Sequence, residues 1–134
     1  MDIALGDETL KEIRQACEAH EKVSALYFFG SRAHGDAGPM SDYDFAIYVE
    51  SRDKKEIFDI VLTLRDTFCR ILKTDAVDLS ALNLIEKPEL KYNIIAHGIL
   101  VFEREPFRVI MEPRILNEYF DFRTTLRKYR LTRA

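Results

Sequence analysis

The sequence predicts an α/β (α+β) fold, a small mixed β-sheet with flanking helices, on three observations. Apolar residues recur at helical spacing in some stretches and alternate or run continuously in others, and the two kinds of stretch take turns along the chain. The expected order is helix, strand, strand, helix, strand, helix, strand, helix, which is the pattern of helices packed on a sheet. The 134 residues, 47% of them hydrophobic, suffice for one sizeable core. The chain therefore reads as a single domain over residues 1–134, with a core over about 23–104 and a C-terminal helix over about 113–131.

Residues 7–20 form the first expected helix, with Thr9 and Glu12 at capping-box spacing and Leu10, Ile13 and Cys17 as its apolar stripe. Residues 23–29 read as a buried strand, in which Tyr27, Phe28 and Phe29 are core residues. Residues 44–49 form the second strand. From 53 to 72 the period turns helical, with Ile57, Val61, Leu64, Phe68 and Leu72 on one face. Residues 76–82 form a third strand, where Val77 and Leu79 share one face and Ala76, Asp78 and Ser80 the other. Pro88 opens a short helix to about 96, Gly98 ends it, and 99–102 form a fourth strand. Pro113 is expected to start the last helix, which runs to about 130.

Composition excludes several classes. The 20 basic and 23 acidic residues leave no global positive field, so no direct nucleic-acid binding is expected. Cys17 and Cys69 lie far apart and form no CxxC pair, which argues against structural zinc. The first ten residues lack a basic segment followed by an apolar run, and no apolar stretch is long enough to span a bilayer. A reduced, cytoplasmic chain with no membrane association is the expectation.

The chemistry concentrates in residues 30–49, GSRAHGDAGPMSDYDFAIYV. Gly30-Ser31 falls where a strand hands over to a short turn, Arg32-Ala33-His34. Glycine there lets a phosphate approach the backbone, and exposed amides with a serine hydroxyl can donate to its oxygens. The string does satisfy G-x-x-x-x-G, yet Asp36-Ala37 follows in place of the lysine and hydroxyl residue of a P-loop, so a P-loop is rejected. After a turn-rich loop with Gly35, Gly38 and Pro39 come Asp42 and Asp44, which strand alternation places on one face with Ala46 and Tyr48. Two adjacent carboxylates repel unless a cation sits between them, and hard oxygen ligands in small number suit magnesium. For a third carboxylate, Asp75 has the parity of core residues Val77 and Leu79, whereas Asp78 has that of Ser80. Parity selects Asp78. Tyr48, on the aspartate face, is a candidate for lining a pocket there.

Gly30-Ser31, ten residues, then Asp42-x-Asp44, followed by a strand aspartate, resembles the nucleotidyltransferase superfamily typified by DNA polymerase beta. The compact length resembles its minimal (MNT) members, the antitoxins encoded beside HEPN-domain RNase toxins. The resemblance covers about residues 23–82. It implies a polymerase beta-like nucleotidyltransferase fold in which Gly30 and Ser31 hold the β- and γ-phosphates of a nucleoside triphosphate. It further implies that Asp42 and Asp44 bind Mg2+, with Asp78 on the catalytic metal and assisting deprotonation of the attacking hydroxyl. Arg32 reads equally as a charge-assisted triphosphate contact or as a solvated arginine. Many relatives have a basic residue at the position of His34, so no phosphate-clamping role carries over to it. The implied activity is transfer of AMP from ATP to a hydroxyl of a cognate HEPN toxin. The alternatives are transfer to a small hydroxylated molecule, as in antibiotic nucleotidyltransferases, and a non-catalytic antitoxin that blocks its partner by occupancy. On the last helix, Ile115, Tyr119, Phe122, Leu126 and Tyr129 make an apolar stripe flanked by Arg123, Arg127 and Arg130. That helix either packs on the chain's own sheet or docks the partner.

Overall fold

Alternation along the strands decides which side of the sheet each helix covers. The computed structural model describes residues 5–34 and 42–129. In chain order these form α1 (Asp7–Glu18), β1 (Val23–Phe29), a 3-10 turn (Ser31–His34), β2 (Tyr43–Val49) and α2 (Lys54–Leu72). Then follow β3 (Val77–Ala81), a second 3-10 turn (Leu82–Leu84), α3 (Pro88–His97), β4 (Ile99–Glu103) and α4 (Phe107–Lys128). The sheet order is β3-β2-β1-β4. β1 runs antiparallel to both β2 and β4, while β2 and β3 are parallel, so the sheet is mixed. Parallel neighbours need a crossover of a dozen residues or more, and α2 supplies it.

Two cores result, one on each face. Leu26, Phe28, Phe45, Ile47 and Leu79 point toward α1 and α2, where they meet Ile13, Cys17, Ile57, Leu64 and Phe68. Phe45 is the hinge of that layer, its ring 5.0 Å from Phe28 and 5.2 Å from Phe68. On the other face Ala25, Tyr27 and Ala46 meet Ile94 of α3 and Phe107 and Ile115 of α4, with Phe29 and Tyr48 partly buried at the margin. Among the described residues no helix is long and apolar enough to cross a membrane.

Two helix starts differ from expectation. The N-cap of α1 is Gly6, which makes no side-chain hydrogen bond, and Thr9 lies inside the first turn. Asp7 and Glu8 answer the positive end of the helix dipole in its place. α4 begins at Phe107, not at Pro113. The Glu103 carboxylate accepts the Arg108 backbone N–H at 2.9 Å and so caps the first turn. Burial of Phe107 beside Tyr27 and Tyr48 fixes that turn on the sheet. Pro113 consequently sits inside the helix and leaves the carbonyl of Val109 without its helical donor. Val109 is itself 78% exposed, so water has access to that stretch.

Candidate active site

β1 ends at Phe29, and Gly30 turns the chain with φ +82°, a left-handed conformation that glycine adopts without penalty. A second reason disfavours a side chain there: a Cβ on Gly30 would run into the Asp44 carboxylate, which would have to move. The backbone turn and the acid are therefore in direct apposition. Ser31 opens the 3-10 turn, closed by the Ala33 N–H donating to the Gly30 carbonyl at 3.2 Å. The loop carrying Gly35, Asp36, Gly38 and Pro39 lies outside the described residues, as does the His34 side chain.

Register brings the acids together. Phe29 of β1 is the partner of Asp44 in β2, and Asp44 is the partner of Asp78 in β3. Asp42, exposed, sits just before β2, and Asp78 is exposed between buried Val77 and Leu79. Parity on β3 thus reads as expected, with Asp78 level with Asp44. Asp75 precedes the strand, and its carbonyl accepts from the Arg65 guanidinium at 3.1 Å. Arg65 also donates to the Val77 carbonyl at 2.9 Å, and the Tyr43 N–H donates to the Ala76 carbonyl at 2.8 Å. These bonds fix the start of β3, an edge strand with a neighbour on one side only, and so fix where Asp78 emerges.

Asp44 is half-buried, and its carboxyl is pushed above the usual range first by burial, then by the charges of Asp78 and Asp42. Asp75 has no part in that shift. Among the described residues no three His, Cys, Asp or Glu side chains converge into a ready-made metal cage. An open set of acids is nevertheless the form that suits magnesium, which keeps several waters and binds through one or two carboxylates plus phosphate oxygens. Asp42, Asp44 and Asp78 fit that description: oxygen donors only, mutually repelling, at the mouth of a glycine turn.

Arg32 lies with its guanidinium 4.2 Å from the ring centroid of Tyr43, whose ring is stacked on Phe28. Strand alternation puts Tyr43 with Phe45, Ile47 and Val49 on the core face of β2, so its part in holding that cation is not legible from sequence. Nor is the role of Arg65; nothing in residue order tells that an arginine on α2 reaches two carbonyls of the next strand. Tyr48 shares the face of Asp44 but is four residues further along β2, about 13 Å at the rise of a strand. Buried Ala46 lies between them, and Tyr48 packs on Phe107 at 5.0 Å. It does not join the acids.

The family model described as polymerase beta, nucleotidyltransferase matches residues 11–107. No curated protein sequence matches at a significant level. Among solved structures, the chain is similar to one in a crystal structure of the toxin–antitoxin MntA–HepT. There the TM-score is 0.66 and the identity 16%, over 92% of this chain and 95% of that one. A crystal structure of a toxin–antitoxin with AMP-PNP matches at TM-score 0.68 and 17% identity, over 93% of this chain and 95% of that one. At identities this low the likeness is one of fold.

Proposed function

Since the chain belongs to the polymerase beta nucleotidyltransferase family, we propose that it is an antitoxin that transfers AMP from ATP to a hydroxyl of a cognate HEPN RNase toxin in the cytoplasm, neutralising it. The observation that supports the chemistry best is the register pairing of Asp44 with Asp78 beside Gly30. The toxin as acceptor is supported by the fold neighbours, which were crystallised as toxin–antitoxin structures, one with a nucleotide analogue.

In this reading Gly30 and Ser31 hold the β- and γ-phosphates of ATP through the open backbone of the turn and the serine hydroxyl. Arg32, steadied on the Tyr43 ring, adds positive charge beside them. Asp42, Asp44 and Asp78 would hold Mg2+, which supplies neutralisation of charge on the reacting phosphates. The acceptor oxygen attacks the α-phosphorus in line, its proton passes to the Asp78 carboxylate, and the bond from the α-phosphorus to the bridging oxygen breaks. Pyrophosphate leaves with the electron pair.

The test is to incubate the chain and its partner with ATP labelled at the α- or the γ-phosphate. Label from the α position is expected on the partner, only with magnesium, and not with the Asp42→Ala/Asp44→Ala variant. Transfer of γ label, or unchanged transfer by the double variant, contradicts the reading.

A further inference from the structure

At the other end of β2 a groove of about 470 Å³ opens between the last residues of β2, the 3-10 turn that follows β3, the start of α2, and helices α3 and α4. Its floor includes Tyr48, Met111 and Ile115, and its rim carries Arg52, Lys54, Lys91 and Arg114 against one carboxylate, Glu118. Lys91 is already neutralised by Glu118 at 2.7 Å. Among the described residues no carboxylate lies within ion-pair distance of Arg52, Lys54 or Arg114. The nearest further interaction of Arg114 is a 3.9 Å contact to the Met111 sulfur. Three unneutralised cations thus face one concavity on a chain whose net charge is −3. Like charges so gathered repel one another, and an anion between them removes that cost.

Size and lining narrow the anion. The volume lies in the range of small-molecule sites, on the order of 300–1,000 Å³, and exceeds what a lone phosphate ion occupies. An aromatic ring beside a methionine and an isoleucine offers a planar apolar body a surface to lie on, with the guanidinium groups at the rim to take a phosphate. We propose that this groove is a second, non-catalytic site, which binds a free nucleoside monophosphate or diphosphate with its phosphate on Arg52, Lys54 and Arg114 and its base over Tyr48 and Met111. Buried Ala46 lies between Tyr48 and Asp44 on β2, and no acid of the candidate active site lines the groove, so the two sites share a strand and no side chain. Nothing in the assignment depends on the transfer chemistry.

The test is titration of AMP into the full chain in the presence of EDTA, followed by calorimetry or amide chemical shifts, for three proteins. Wild type and Asp42→Ala/Asp44→Ala are expected to bind AMP equally. Arg52→Ala/Arg114→Ala is expected to bind at least tenfold more weakly, since two charge-assisted contacts are lost. Both arginines are exposed, and an unchanged melting temperature shows that the variant is folded. Adenosine is expected to bind detectably but more weakly than AMP, and inorganic phosphate to compete poorly. AMP binding that survives the arginine substitutions, or that disappears with the aspartates, overturns the proposal. So does inorganic phosphate competing as well as AMP itself, which marks an anion site with no place for a base.

Discussion

Asp44 is where burial and charge meet. Its carboxyl is held above the ordinary value of 3.8 by burial and by Asp78 and Asp42. The folded chain therefore binds this proton more tightly than the unfolded chain, and stability falls as pH rises from about 3.8 through the raised folded value. At neutral pH the apo protein bears the full cost. Asp44→Asn removes it, so a small rise in melting temperature is expected at pH 7 without metal, shrinking to nothing below pH 3.8. Thermal melts across that pH range check this; a destabilised variant at neutral pH contradicts it. The face on which Asp78 emerges was legible in residue order, because strand alternation has a strict period of two and a one-residue slip would put Val77 and Leu79 in water; its pairing with Asp44 is a tertiary fact. The positive φ of Gly30 was legible only as a glycine before a serine; the steric reason against a side chain, the Asp44 carboxylate against it, is likewise tertiary.

At the scale of elements, the strands and helices of the described residues fall in the order the sequence predicts, and the misplaced boundary is instructive. Pro113 has the look of a first helical residue, yet α4 starts six residues earlier because Glu103 caps it and Phe107 anchors it. The cap acts across five residues and the anchor through contacts with the sheet, and together they outweigh the proline. The penalty should still be present. Pro113→Ala restores an N–H donor for the Val109 carbonyl at an exposed position, and stabilisation of about 1–3 kcal/mol is expected. Chemical denaturation measures it. An unchanged midpoint would mean that the helix already bends to relieve the proline. The capping box expected at Thr9 failed for a related reason: an S/T-x-x-E pattern gives no helix start when the chain enters one turn sooner, at Gly6.

The whole molecule puts its acids at one end of β2 and the groove rimmed by Arg52, Lys54 and Arg114 at the other, with α4 packed on the face between them. Ile115 is buried, and Tyr119 stacks on Tyr92 of α3 with centroids 4.1 Å apart. Beyond that stack Phe122 and Leu126 are half-buried and Tyr129 is 63% exposed. The apolar stripe read from sequence thus divides: its first half packs on the chain's own core, and its second half turns increasingly to solvent. Arg123 lies over the Tyr119 ring at 5.9 Å, and Arg127 is exposed, while Arg130 is outside the described residues. A partner-docking role, if it belongs to α4, belongs to its second half. Ending the chain after Asp121 keeps Ile115 and the Tyr92 stack. The shortened protein is expected to fold and to exchange pyrophosphate normally, while modifying its partner at least tenfold more slowly. Modification at the full rate contradicts the docking role, and unfolding shows that the segment is core. Such a division was not legible beforehand, since an amphipathic period reports that a face is covered but not by what.

The central claim is that Asp44 and Asp78, brought level by the parallel register of β2 and β3, perform the transfer together with Asp42. Its most direct test is the magnesium-dependent transfer rate of Asp78→Asn against Asp75→Asn. The two acids are three residues apart and both exposed, but only Asp78 is paired with Asp44. Asp78→Asn is expected to lose on the order of 10²-fold or more in rate, as loss of a general base and metal ligand does, with Asp75→Asn close to wild type. Equal losses, or the reverse order, would contradict the account.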